Sequence, residues 1–268
     1  MEGPHTHALA DALADALTGR PVDRIDTPTG RWQANVLLHN CVGQVIQRTR
    51  AHGKWLLLDF SHGVTWASEL LGKSTWAVST AAAGESAAAD LLALTLRDGT
   101  RATLIGHPAF LTLTTEHLFT HADLKELGPD PMTSADYAIE FPQRLRRAAA
   151  RTVGAALTDQ HIVAGLGNPL KCEVLFAAGL GGGARVASLL ASQVDRLVDI
   201  TAGLYRDVYS AARRNTPFDY AVYDREGQPC PRCGGDIAVD RTSGNAYPTW
   251  FCPLCQKPAE VRTLFTAG

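Results

Sequence analysis

Leu9, Leu13 and Leu17 recur every four residues, with alanines between them and Asp11 and Asp15 on other faces. That spacing predicts an amphipathic helix with Gly19 as its stop. From about residue 20 to 115 the apolar positions fall instead into short runs of β character. Val36-Leu37-Leu38 and Val42-Gly43-Gln44-Val45-Ile46 are two of these runs. Residues 54–60 form a predicted strand that turns at Ser61-His62-Gly63 into Val64-Thr65-Trp66. Residues 91–96 and 101–105 flank Asp98-Gly99, a hairpin signal because a tight turn needs positive φ, which those residue types tolerate. Short strands joined by turns behind one helix predict a β-sandwich or barrel-like domain. The small-residue tract 81–89 reads as a mobile loop.

The texture changes at Leu127-Gly128-Pro129-Asp130-Pro131, where glycine and proline mark a hinge or linker. Beyond it the pattern is helical. Residues 143–151 are a predicted basic helix with four arginines, for which a solvated face and a phosphate-binding face both remain open. Residues 157–180 carry a helix-turn-helix unit broken by Gly165-Leu166-Gly167-Asn168-Pro169. Gly181-Gly182-Gly183 is a loop, and residues 186–214 are expected to form one long amphipathic helix.

Composition changes this picture little. A chain of 268 residues that is 46% hydrophobic and 19% charged can bury a sizeable core. A net charge of −2 does not by itself announce a nucleic-acid binder, although local clustering of basic residues matters more than the total. No apolar run approaches the ~20 residues needed to cross a bilayer, and the N-terminus lacks a basic-then-apolar signal segment. The chain is therefore expected to be soluble and intracellular, with no membrane partner.

The most specific signal lies near the C-terminus. Cys230-Pro231-Arg232-Cys233 and Cys252-Pro253-Leu254-Cys255 are separated by eighteen residues. Each pair forms a knuckle that presents two sulfurs to one ion, and the segment between can run out and back as two strands. Four thiolates close a tetrahedral shell and leave no open position for substrate. Cys230, Cys233, Cys252 and Cys255 are thus expected to hold one structural zinc ion, locking a hairpin with too little apolar surface to fold alone. Two disulfides fit poorly with a chain that has no secretory signal. Cys41 and Cys172 are left over as buried or inert thiols.

Several stretches then line up in one order: Glu2-Gly3-Pro4, Gly53-Lys54, Leu127-Gly128-Pro129-Asp130, Asp159-Gln160 leading to Ala164-Gly165-Leu166-Gly167-Asn168, Gly227-Gln228-Pro229-Cys230, and Cys255-Gln256-Lys257. In these the chain resembles the formamidopyrimidine-DNA glycosylase/endonuclease VIII family, nearer its endonuclease VIII branch. The resemblance implies an α+β protein. A leading helix and β-sandwich catalytic domain would span 1–126, a linker 127–135, a helical domain with a helix-two-turn-helix 136–222, and a zinc-finger hairpin 223–268. It implies a base-excision glycosylase that flips a damaged base out of DNA. The α-amine of residue one attacks the sugar, so that strand cleavage through an imine can follow. Glu2 handles protons beside that amine. Lys54 and Asn168 sit where the family binds backbone phosphate, and Lys54 is counted with Met1 and Glu2 among the catalytic candidates.

The sequence departs from the family at functional positions. Most members expose an N-terminal proline. Here Glu2 follows Met1, and its large side chain hinders methionine removal, so the primary amine of Met1 is expected at the nucleophile position. Tyr247 stands where the hairpin normally carries an arginine, and nearby Arg241 is the candidate to replace that charge. The segment that inserts wedge residues into the duplex reads Glu69-Leu70-Leu71-Gly72-Lys73-Ser74, leaving Leu70 and Leu71 as candidates. His5 replaces a family glutamate. These departures point to a non-standard lesion, bulky, alkylated or crosslinked, with oxidised pyrimidines second. They also favour single-stranded or forked damaged DNA as partner; the protein is further expected to be a monomer, cytoplasmic and associated with the nucleoid. The rival reading is a protein that recognises damage without excising it.

Overall fold

A computed structural model describes residues 1–80, 90–241 and 247–256, so the tract 81–89 read as a loop lies outside the described residues. The chain divides into two compact units, Met1–Glu126 and Leu127–Gly268.

The first unit opens with α1 (Gly3–Leu17), which starts with a proline in its first turn, where the missing N–H costs nothing. It continues with β1 (Val22–Asp26), α2 (Val36–His39), β2 (Ile46–His52), β3 (Trp55–Phe60), β4 (Val64–Glu69), β5 (Thr75–Ser79), β6 (Asp90–Leu96), β7 (Arg101–Ile105) and β8 (Ala109–Thr114). A 3₁₀ turn, Thr115–Thr120, and α3 (Ala122–Lys125) end the unit. Two four-stranded antiparallel sheets form, ordered β1-β6-β7-β5 and β2-β3-β4-β8. Leu56, Leu58, Phe60 and Trp66 from one sheet and Trp76, Leu92, Leu94 and Leu104 from the other share a single core with Leu13 and Leu17 of α1. Strand β3 reads as a continuous apolar run, and Leu56, Leu57 and Leu58 are all fully buried. A strand covered on both faces loses the alternation of a half-exposed one. On the same sheet Asp59 accepts from Arg50 Nε at 2.8 Å and from Thr65 Oγ1 at 2.7 Å, so the carboxylate is fully engaged.

The run Val36-Leu37-Leu38 is a single helical turn, not a strand. The Asn35 side chain accepts from Leu38 N at 3.0 Å and donates to Thr112 Oγ1 at 2.8 Å, which caps the turn and ties it to β8.

The second unit contains α4 (Tyr137–Arg147), α5 (Val153–Leu157), α6 (Asn168–Ala178), a 3₁₀ turn at Val186–Ser188, α7 (Ala191–Arg213), and the two-stranded pair β9 (Ala238–Asp240) and β10 (Thr249–Phe251). Three expectations change here. The basic helix ends at Arg147, so Arg151 lies beyond it. The long helix expected over 186–214 is broken at its start, because Leu190 adopts an extended conformation and its N–H donates to Gln193 Oε1 at 2.8 Å. The 127–135 stretch is not a loose linker. Gly128 N donates to Gln160 O at 2.7 Å and Ala164 N to Pro129 O at 3.2 Å, while Asp130 is fully buried. A Cβ on Gly128 would lie 2.6 Å from the backbone of Ile162, so glycine is required by this close approach. Among the described residues no helix is long and apolar enough to cross a membrane.

Buried Glu173 on α6 accepts from the N–H groups of Ala221, Val222 and Tyr223, each at 2.9 Å. It fixes the segment that leads into the cysteine hairpin. Glu173→Ala leaves those donors unsatisfied and should cost about 3 kcal/mol or more of stability. Urea unfolding of the variant checks this, and a loss below about 1 kcal/mol would show that the donors find other partners.

Candidate active site and metal centre

In the first unit the chain's first residues are fixed in place. Glu2 is extended, φ −122°, and its carbonyl accepts from His5 N at 3.0 Å and Thr6 N at 3.1 Å, which starts α1. Its side chain is only 4% exposed. The Met1 α-amine donates to the carbonyl of Gly72 at 3.1 Å, and the Met1 side chain packs against the core. Burial pushes the pKa of this amine below its ordinary value, opposed by the charge of Glu2 and assisted by that of Lys54. More of the amine is therefore neutral, and so nucleophilic, near pH 7.

Lys54 belongs to the Gly53-Lys54 turn between β2 and β3. Burial lowers its pKa, while Glu2 and Glu69 raise it. Burial raises the pKa of Glu69, Lys54 opposes that shift, and Asp123 adds to it. Met1, Glu2 and Lys54 are thus brought into one electrostatic cluster. Three members of the cluster, Glu69, Gly72 and His5, were not among the expected site residues. Gly72 acts through its backbone carbonyl, which leaves no side-chain signal. His5 is half-buried beside the amine, and among the described residues its Nδ1 is buried without a hydrogen-bond partner.

The two wedge candidates separate. Leu70 N donates to Lys54 O at 2.9 Å, prolonging the strand pairing, and the Leu70 side chain is fully buried in the sandwich core. Leu70 is therefore unavailable as a wedge. Leu71 is 44% exposed.

In the second unit Asn168 is the first residue of α6, with Gly167 as the extended cap before it. Gln160 shapes the approach: its Nε2 donates to Leu166 O at 2.9 Å and its Oε1 accepts from Gly165 N at 2.9 Å. Gly165 has φ +90°, and a Cβ there would meet Tyr205 Oη at 2.2 Å. Asn168 Oδ1 is buried and has no hydrogen-bond partner among the described residues.

One turn along α6, fully buried Lys171 donates to Tyr247 O at 3.2 Å, Pro248 O at 3.1 Å and Thr249 Oγ1 at 2.9 Å. Gln256 donates to Leu180 O at 2.9 Å and accepts from Cys252 N at 2.8 Å. Arg232 stacks over Phe176 at 4.4 Å. The hairpin is thereby bound to the helix that carries Asn168, and Tyr247, 56% exposed, is held by its backbone. Arg241, the candidate to replace the missing arginine, makes an exposed ion pair with Glu226 at 2.9 Å. Lys171 and Glu173 escaped the sequence reading because a lone charge on an apolar helix normally points to solvent.

The sulfurs of Cys230, Cys233, Cys252 and Cys255 lie within 4.8 Å of one another. Cys230 and Cys255 are 3.9 Å apart, and Cys233 and Cys252 3.5 Å. Tetrahedral zinc with ~2.3 Å bonds to sulfur needs edges of about 3.8 Å, so the cluster fits one zinc ion. Arg232 N donates to Cys230 Sγ at 3.4 Å, the kind of backbone contact that supports a thiolate. With all four positions filled by cysteine the zinc is structural.

Residues 127–209 match the family model described as the formamidopyrimidine-DNA glycosylase H2TH domain, and residues 227–258 that described as a zinc finger found in FPG and IleRS. The chain is 31% identical over 271 residues to Endonuclease 8 of Enterobacter sp. (strain 638), covering 96% of this chain and 99% of that protein. It is also 31% identical to Endonuclease 8 of Klebsiella pneumoniae (strain 342), covering 95% and 99%. The fold matches a structure of Lactococcus lactis formamidopyrimidine-DNA glycosylase bound to DNA containing an abasic site. That match has a TM-score of 0.84 at 22% identity and covers 96% of this chain and 100% of the other.

Elemental analysis should find one zinc per chain. Chelation should unfold the hairpin while leaving most helical circular dichroism intact, because the metal supplies its folding energy. Trp250, stacked on Tyr223 at 4.8 Å, is the fluorescent reporter, and an unchanged emission spectrum after zinc loss would contradict this.

Proposed function

The chain belongs to the formamidopyrimidine-DNA glycosylase/endonuclease VIII family, and from that premise we propose how this base-excision DNA glycosylase works and what it favours. The observation that carries the reading is the Met1 amine tethered to Gly72 beside buried Glu2 and Lys54. A damaged base is flipped out of the stack, at a cost of a few kcal/mol when it starts in duplex. The Met1 amine attacks C1′ and Glu2 protonates the sugar ring oxygen. The imine that results allows strand cleavage by elimination, so the enzyme is also an AP lyase. Lys54 and Asn168 grip backbone phosphates. Asn168 opens α6, where N–H groups and a side-chain amide can meet an anion together.

Leu71 is the wedge, and exposed Tyr247 offers an aromatic face where an arginine would offer charge. A single apolar wedge fills the gap of an extruded base poorly. The preferred substrates are accordingly those with weakened pairing: bulky, alkylated or crosslinked bases, and single-stranded or forked DNA. Oxidised pyrimidines, which the resemblance to endonuclease VIII implies, come second. The protein acts as a monomer on the nucleoid.

A panel of lesion-bearing oligonucleotides in duplex, forked and single-stranded form tests this. Glu2→Gln should lower base release by about 10²-fold or more. Borohydride should trap the wild type on abasic DNA, with the adduct mapped by mass spectrometry to Met1. Folded, zinc-loaded protein that releases no base would instead favour a damage-binding role. Base release without trapping would leave a glycosylase with no lyase step.

Leu71→Ala should slow release from duplex by about tenfold while sparing single-stranded substrate, since only duplex has a gap to fill. Equal loss on both would remove Leu71 from the wedge role.

A further inference from the structure

The Met1 amine, Glu2 and Lys54 account for nucleophile, ring protonation and phosphate binding, but not for the proton the amine must shed. We infer that His5 is a further catalytic residue, whose imidazole takes that proton from the Met1 amine and passes it to the departing base. The inference rests on the glycosylase reading and extends it.

The atoms balance without a co-reactant. The neutral amine forms its bond to C1′ as the glycosidic bond breaks, and that bond's electron pair leaves with the base. The new C–N nitrogen is then cationic and gives one proton to His5. The imidazolium returns this proton to the anionic base, which departs neutral, and His5 is restored. Glu2 remains free to protonate the ring oxygen as the imine forms.

His5 is placed for this. It lies in the first turn of α1, and its N–H donates to Glu2 O at 3.0 Å, so its backbone is held to the residue that follows the amine. The ring is half-buried, and Nδ1 is buried with no partner among the described residues, leaving a ring nitrogen free to accept. The charge that acts on it is that of the Met1 amine, which is itself flanked by the charges of Glu2 and Lys54. Burial, then the charge of the amine, lowers the His5 pKa, so the imidazole is neutral near pH 7 and able to act as a base. A glutamate at this position would add a negative charge beside Glu2. Histidine supplies a neutral base there, matched to an N-terminus that is a primary amine.

The test is single-turnover base release from pH 5 to 9 by the wild type, His5→Gln and His5→Asn, with borohydride trapping on an abasic site in parallel. Both variants keep a polar side chain of similar reach, and melting temperatures near wild type confirm folding. Base release should fall about 10²-fold in both variants. The acid limb of the wild-type profile, where both the imidazole and the Met1 amine protonate, should become shallower in the variants, keeping only the part due to the amine. Trapping on abasic DNA, where no base departs, should fall by less. Release within about twofold of wild type, or an unchanged acid limb, overturns the role of His5. A wild type that releases no base overturns the glycosylase reading itself, and the two failures are thus distinguishable.

Discussion

The N-terminal tether is the interaction on which the first unit's chemistry depends. A chain terminus is normally frayed and solvated, because nothing offsets the entropy of ordering it. Here the Met1 amine is bonded to Gly72 at 3.1 Å, while Gly3, Pro4 and Thr6 are buried immediately behind it. Glu2 is carried into the protein by its backbone, as the residue that opens α1. The carboxylate, the amine and Lys54 then share a partly desolvated site, where each charge is tolerable only because the others are close. Burial depresses both amines, and Glu2 holds each of them up. The result is an amine whose pKa lies below that of a free terminus.

The second unit uses buried charge differently. Lys171 and Glu173 lie on one helix, but among the described residues neither makes a salt bridge: Glu173 accepts from backbone N–H groups, and Lys171 donates to two carbonyls and the Thr249 hydroxyl. Lys171 takes up carbonyls at the hairpin's return strand, and Glu173 takes up N–H groups on the segment leading to its first cysteine. The hairpin is fastened to α6 from both ends, and zinc closes it internally. This explains why a strand pair of three residues each can be ordered at all.

Much of this was legible in the residues. The α+β order of elements, the Asp98-Gly99 hairpin and the four thiolates all follow from local rules, since spacing and turn chemistry act over a few positions. The failures share one cause. Leu70 and Leu71 look alike in sequence, and only the bond from Leu70 N to Lys54 O sends one inward and leaves the other out. The proline-glycine stretch at 128–131 looks like a linker until Gln160 and Ala164 pair with it. Val36-Leu37-Leu38 looks like a strand until Asn35, bonded to the far-off Thr112, caps it. In each case the deciding partner is distant in the chain or is a backbone atom, and neither leaves a periodic trace.

The hold on the hairpin also bears on Tyr247. Lys171 grips the carbonyl of residue 247, not its side chain, so the identity of that side chain is decoupled from the position of the hairpin. Exchanging arginine for tyrosine at 247 changes the side chain that is offered, while the carbonyl that Lys171 holds is the same. An arginine fork contributes through phosphate, a contact that every stretch of backbone provides. An aromatic face contributes through stacking, worth about 1–3 kcal/mol per base on single strands. That energy is available only where a base face is uncovered. On the proposed reading, the same substitution that weakens a generic grip on duplex therefore gains on forked or distorted DNA. This preference arises in the second unit, independently of the chemistry at Met1.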